Sequence, residues 1–260
     1  MEPTTLKIVQ AGAVATVSLN RPDVRNAFDD VLIGELTSTF ATLAANPSVR
    51  AIVLTGAGTI FCAGADVNWM KQSVTYTQAQ NKEDALRMSA MFRAIDECPK
   101  AVIGRVNGTC LGGGMGLVSC CDVVVSVDTA QFAFTEVKLG IVPAVISAYV
   151  APKIGLSAAR RYFLTAEIFG PEQARRLGLV HEIAPAEKLD GKVAEIAAAI
   201  LKNGPLAVAT AKALIPQVLS KARPEAIEYT ASLIAKVRTS PEGQEGLGAF
   251  LEKRKPSWIK

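Results

Sequence analysis

Short apolar runs, each closed by glycine, proline or other small residues and followed by a longer stretch with helical spacing, constrain this chain more than any other feature. Residues 6–9 and 13–19 alternate in polarity around Ala11-Gly12, which predicts a hairpin. Arg21-Pro22-Asp23 breaks it, and 29–45 carries a helical period with Val31, Leu32, Leu36, Phe40 and Leu43 along one side. Asn46-Pro47 ends that helix. Residues 51–54 form a buried strand closed by Thr55-Gly56-Ala57-Gly58. A loop at 61–66, a helix over 78–97, a stop at Cys98-Pro99 and a strand at 101–106 complete a second cycle. A third runs through a glycine-rich loop, a short helix to Cys121, a strand at 123–127 and residues 132–134. Buried strands alternating with helices predict an α/β core, and recurrence at roughly 50 residues suggests an internal repeat.

After Pro143 the pattern is helical, over 157–165, 171–177, 186–201, 205–219, 224–238 and 241–253. Several of these open on proline, whose missing N–H is harmless in a first helical turn. The chain therefore divides into a core over 1–200 and a helical region over 201–260.

Composition narrows the function. Half of the 260 residues are apolar and only 20% are charged, and the mean hydropathy is +0.27. A chain of this length can bury a core without disulfides, and the apolar excess predicts further burial between subunits. A membrane-spanning helix needs about 20 apolar residues, whereas the longest uncharged run, between Arg105 and Asp122, is interrupted by five glycines. The opening Met1-Glu2-Pro3-Thr4-Thr5 is no signal peptide, so a cytoplasmic protein is expected. The net charge of +4 is scattered apart from Lys253-Arg254-Lys255 and pairs such as Arg160-Arg161 and Arg175-Arg176. With 6% aromatics, that argues for a local anion site rather than a nucleic-acid face. Cys62, Cys98, Cys110, Cys120 and Cys121 lack CxxC spacing and read as buried thiols. His181, the single histidine, lies in the apolar string GLVHEI. Zinc sites and Ser-His-Asp triads are thereby disfavoured, and no metal is expected.

Three segments could carry chemistry. NGTCLGGGMG (107–116) follows a strand and enters a helix, where glycines bare the backbone N–H groups and the helix start adds positive potential. Such a turn can hold a phosphate or stabilise an oxyanion, or serve close packing alone. It matches neither GxGxxG nor GxxxxGK[ST]. FCAGAD (61–66) again places small residues between a strand and a helix, with Asp66 reading as the cap of that helix ahead of a catalytic role. In AQFAFTEVKLGIVP (130–143), Glu136 is an isolated carboxylate among apolar residues. It is either a buried proton shuttle with a raised pKa or an ion-paired or capping residue beside Lys138.

Together, FCAGAD, NGTCLGGGMG and AQFAFTEVKLGIVP resemble the crotonase superfamily of enoyl-CoA hydratases and isomerases, and the resemblance extends from VSLNRP (17–22) to AFLEKRK (249–255). It implies an α/β fold, a spiral of ββα units with a helical C-terminal trimerisation region, assembled as a homotrimer or hexamer. It implies that the N–H groups of Ala65 and Gly113 hold the thioester oxygen of an acyl-CoA. It also implies that Glu136 moves protons, with no tightly bound cofactor beyond the coenzyme A of the substrate. By the same resemblance Ala63, Arg25 and Lys253 contact the CoA moiety, Lys253 through the 3′-phosphate in a neighbouring subunit.

Hydratases of this superfamily generally carry a second glutamate, at the position that is Gly116 here. The departure points to single-glutamate members. GADVNWM (64–70), PAVISAY (143–149), ARRYFLTAE (159–167) and GQEGLGAF (243–250) are most similar to bacterial methylglutaconyl-CoA hydratases of leucine breakdown. A second glutamate about 4 Å from such a substrate's distal carboxylate would cost on the order of 4 kcal/mol. Gly116 is expected to remove that repulsion and make room for a branched acyl carbon. Asn68, Ala144 and Tyr149 complete the expected acyl contacts, with Lys71 and Ser147 as further candidates for the distal carboxylate. The alternatives are an enoyl-CoA isomerase, a dehydratase of a carrier-protein-bound 3-hydroxy-3-methylglutaryl group, or, from another class, an RNA-binding protein or inactive CoA-binding scaffold. The low charge density weighs against nucleic acid.

Overall fold

The computed structural model describes residues 3–259. The chain opens with the antiparallel strands β1 (Leu6–Ala11) and β2 (Val14–Leu19), turned through Gly12 at φ +57°. Helix α1 (Asp30–Ala45) is capped by Asp29, whose Oδ1 accepts the Leu32 N–H at 2.8 Å. It buries Leu32, Ile33, Leu36, Phe40 and Leu43, whereas Val31, expected on that face, is 46% exposed. Val31 occupies the first turn, and the buried face begins one residue later.

Three strand pairs follow. β3 (Ala51–Gly56) and β4 (Ile60–Cys62) precede helices α2 (Val67–Ser73) and α3 (Gln78–Asp96). β5 (Ala101–Val106) and β6 (Thr109–Leu111) precede α4 (Gly113–Cys120). β7 (Val123–Val127) and β8 (Phe132–Ala133) precede α5 (Ala144–Thr165). The first strand of each pair joins a six-stranded sheet, completed by β9 (Glu182–Ala184), in the order β1-β2-β3-β5-β7-β9. The second strands make a parallel sheet of three, β4-β6-β8. This is the expected spiral of ββα turns. Strand starts at Val14, Ala51, Ala101 and Val123 are unevenly spaced, so the repeat is one of structure and not of a fixed sequence period. Beyond the β1 hairpin the large sheet is wholly parallel, with both faces covered, and β3 reads as one buried apolar run.

The β4, β6 and β9 strands escape sequence reading because three residues carry no usable period. Helix α5 begins at Ala144, well before the expected 157, and is broken at Gly155 (φ +76°, ψ 161°). The sequence period belongs to its second half. All five cysteines are buried and free, and desolvation pushes the Cys62 and Cys121 thiols up to about 12. His181 is also structural. Its Nδ1 accepts the Val124 N–H at 2.9 Å, and burial, aided by Lys153, lowers its pKa.

Helices α6 (Pro171–Arg176) and α7 (Ala186–Leu201) cover the β7–β9 edge, and α8 (Pro205–Leu219), α9 (Arg223–Thr239) and α10 (Pro241–Leu251) form the helical tail. The Lys212–Asp122 ion pair at 2.8 Å ties α8 to the start of β7. Neither α8 nor α9 buries a residue in the single chain, and a groove of about 550 Å³ between them is lined by Ala207, Leu214, Ile227, Ile234 and Val237. Among the described residues no single helix is long and apolar enough to cross a membrane.

Candidate active site

The glycine loop and the loop after β4 converge. A Cβ on Gly64 would stand 3.7 Å from the Gly113 nitrogen and 3.8 Å from Gly112 Cα. Both turns need glycine, with φ +94° at Gly64 and φ +49°, ψ −123° at Gly112. Gly113 opens α4, where the first N–H groups have no intrahelical acceptor. Ala65 pairs with Phe28 as an isolated parallel bridge. Phe28 N–H donates to Gly64 O and Asp66 N–H to Phe28 O, both at 2.7 Å, which leaves the Ala65 N–H turned away from its neighbour strand. The turns that carry the Ala65 and Gly113 N–H groups therefore adjoin in one cleft lining.

Glu136 stands beside them. It begins a short 3₁₀ turn (Glu136–Leu139), and a Cβ on Gly112 would lie 3.6 Å from its Oε1. Its Oε2 is out of solvent and has no hydrogen-bond partner. Desolvation raises its pKa above the ordinary 4.5, against a smaller opposing effect from its own backbone N–H. Lys138 is exposed and forms no ion pair with it. Of the two sequence readings, the buried proton shuttle is the one this geometry fits.

These groups line a cleft of about 310 Å³. Of the expected site residues, Ala63, Ala65, Gly113, Glu136 and Ala144 face it. The others do not. Asn68 is exposed in the first turn of α2, its backbone N–H donating to the capping Asp66 Oδ1 at 2.8 Å. Tyr149 packs on Phe92, with ring centroids 5.7 Å apart, and its hydroxyl donates to Ser89 O at 3.4 Å. Arg25 is exposed, and it is its carbonyl that engages the site loop, accepting the Ala63 N–H at 3.0 Å. Lys71, Ser147 and Lys253 lie outside the lining of this chain's own cleft.

Gly116 requires a correction. It is buried within α4, and a Cβ there would meet Phe92 Cζ and Ile146 Cγ2 at 2.6 Å each. The room expected for a branched acyl carbon is already filled by these two side chains. A missing carboxylate left no vacancy because the core closed over it.

The cleft also holds residues that sequence reading missed, notably Trp69, Met70, Asp84 and Met88. Asp84 is 7% exposed and its Oδ1 pairs with Arg87 Nη2 at 2.5 Å. Its signal was available: Asp84, Met88, Met91, Phe92 and Ile95 share one face of α3, which places a lone acid in an apolar stripe.

Residues 10–260 match the family model for enoyl-CoA hydratase/isomerase. A crystal structure of an enoyl-CoA hydratase from Shewanella pealeana superposes with a TM-score of 0.96 at 38% identity, covering 99% of this chain and 97% of the other. The crotonyl-CoA hydratase of Syntrophomonas wolfei is 33% identical over 248 residues, 95% of this chain and 94% of that protein. A peroxisomal Delta(3,5)-Delta(2,4)-dienoyl-CoA isomerase of Arabidopsis thaliana is 32% identical over 98% of this chain and 97% of its own length. Hydratases and an isomerase thus match nearly end to end, and the chain belongs to the enoyl-CoA hydratase/isomerase family with the crotonase fold.

Proposed function

We propose that this protein is a single-glutamate hydro-lyase that interconverts 3-methylglutaconyl-CoA and 3-hydroxy-3-methylglutaryl-CoA. The observation that carries the reading is Glu136, with one carboxylate oxygen buried and unpartnered, in the same cleft lining as Ala65 and Gly113. In hydration the Glu136 carboxylate takes a proton from water as the hydroxide oxygen bonds to C3. The π electrons move toward the thioester, and the charge that develops on its oxygen is met by the N–H groups of Ala65 and Gly113. The same carboxyl group then delivers its proton to C2, so that both parts of one water end on the substrate. Dehydration is the reverse, and concentrations set the direction.

Coenzyme A enters along Ala63 with Arg25 at the mouth, and Lys253 meets the 3′-phosphate from a neighbouring subunit of a homotrimer or hexamer. The unburied α8 and α9, with Leu206, Ile215 and Ile234 exposed, support that assembly. A second reading is double-bond isomerisation of an uncharged enoyl-CoA, in which Glu136 carries a proton between two carbons. Asp84 favours it, because the cleft lining holds two acids and no Lys, Arg or His to meet a distal carboxylate.

A spectrophotometric panel of 3-hydroxy-3-methylglutaryl-CoA, crotonyl-CoA and a 3-enoyl-CoA separates the readings. Turnover of the first at a kcat/KM at least about tenfold above the others supports the hydro-lyase. Preference for the 3-enoyl-CoA overturns it in favour of the isomerase.

A further inference from the structure

The direction of the Ala65 N–H depends on how residues 25–28 lie along residues 63–66. Three backbone bonds set that register: Ala63 N–H to Arg25 O at 3.0 Å, Phe28 N–H to Gly64 O at 2.7 Å and Asp66 N–H to Phe28 O at 2.7 Å. Neither segment belongs to a regular sheet, so something else must hold the pairing.

That role falls to Arg21, a side chain 19% exposed. Its Nη2 reaches Asp29 Oδ2 at 2.7 Å and Asp66 Oδ2 at 2.9 Å, while Nη1 donates to the Ala27 carbonyl. Asp29 and Asp66 are the N-caps of α1 and α2, and the Oδ1 of each accepts a backbone N–H of its own helix at 2.8 Å. Each carboxylate is thus divided, one oxygen on a helix start and the other on the same guanidinium. Phe28 and Ala65 immediately precede the two caps, so the bridge between them is clamped from the side by one cation. The planar guanidinium serves both carboxylates from Nη2 and the Ala27 carbonyl from Nη1, a three-way grip that needs the second nitrogen a lysine lacks.

The clamp also holds a strained turn. Arg25 and Asn26 are consecutive non-glycine residues at φ +57° and +56°, a conformation that persists only where its surroundings enforce it. Asn26 is fully buried; its Oδ1 accepts the Arg21 N–H at 3.0 Å, and its Nδ2 donates to Ala57 O at 2.9 Å and Ile60 O at 2.7 Å.

We propose that Arg21 is a positioning residue for the oxyanion hole: by holding Asp29 and Asp66 together it aims the Ala65 N–H at the thioester oxygen without touching the substrate. The proposal rests on the reading of Ala65 and Gly113 as oxyanion donors, and its test separates the two. The full chain is compared with Arg21→Met, Arg21→Lys and Asp66→Asn, using the substrate with the highest turnover in the panel. A second readout is the absorbance of bound 4-dimethylaminocinnamoyl-CoA, a push–pull chromophore that reddens when its carbonyl is polarised.

Arg21→Met is expected to lower kcat about 100-fold with KM within about threefold, since a lost donor or a 1 Å misplacement has effects of that order. The red shift should shrink in parallel. Arg21→Lys, which keeps the charge but lacks the second nitrogen that holds the Ala27 carbonyl, should fall between Met and wild type. Asp66→Asn keeps a capping side chain but loses the charge, and it should also reduce both signals, which decides the matter should Arg21→Met fail to fold. Folded variants with kcat within threefold of wild type and an unchanged red shift would overturn the proposal and leave Arg21 a stabilising ion pair. Absence of a red shift in the wild type would instead overturn the oxyanion-hole reading itself.

Discussion

Glu136→Gln is expected to lower kcat by about 10⁴-fold, the upper end of what one acid–base group supplies, because the same carboxyl serves both proton transfers. CoA-ester affinity should survive, since the substitution keeps the shape of the side chain. Stability should move the other way. Burial holds the folded-state pKa of Glu136 above its ordinary 4.5, so between those two values the folded protein binds more protons than the unfolded chain. Stability then falls as pH rises through that window, and the loss persists above it. Glutamine carries no charge to desolvate. The variant should therefore melt higher at neutral pH, by about 2–4 °C for each kcal/mol recovered in a chain of this size, and the advantage should close below pH 4.5. Wild-type kcat/KM for hydration should rise with pH on a limb whose midpoint lies above 4.5. Retention of a tenth of the activity would sink the catalytic assignment. Lost activity without a gain in melting temperature would sink the account of a buried, unpaired carboxylate.

The second large effect concerns Gly116. Its neighbours Phe92 and Ile146 are core residues, 0% and 2% exposed. Phe92 is further braced edge-on against Phe28, with centroids 6.3 Å apart. Neither can retreat from a Cβ placed 2.6 Å away without disturbing the wall of the cleft. Gly116→Ala should cost about 1–3 kcal/mol by overpacking, a loss of several degrees in melting temperature. Gly116→Glu adds the burial of an unpaired carboxylate among apolar groups and should yield little folded protein. The sequence reads Gly116 as relieving a repulsion and making room for the acyl group; the packing around it makes any side chain there a folding defect. Ile146→Ala removes the Cγ2 that a Cβ at 116 would strike, so combined with Gly116→Ala it should cost less than the sum of the two single changes, a coupling readable from a double-mutant cycle in thermal melts. A Gly116→Glu variant as stable as wild type would show that Phe92 swings aside and that the second carboxylate site is latent.

Much of the site could be read before any coordinates. Asp66 caps α2 as expected, because a short acidic side chain ahead of a helix satisfies its first N–H groups whatever surrounds it. The glycines at 64 and 112 were legible for a similar reason: each adopts a left-handed φ that a side chain resists. Asn68 and Tyr149 were misplaced because spacing along a chain does not say which way a side chain turns. Asn68 leaves by the solvent face of α2, and Tyr149 is drawn into the aromatic cluster around Phe92.

The division follows the range of the forces involved. Apolar periodicity, turn chemistry and helix caps act within a few residues, so the sequence by itself determined the alternating α/β core, the helical tail and the three loops able to carry chemistry. Convergence of the Gly64 and Gly112 turns, the orphaned Oε2 of Glu136 and the filled space at Gly116 each depend on groups far apart in the chain. Close packing and desolvation are properties of the assembled interior, and only the tertiary structure decided them.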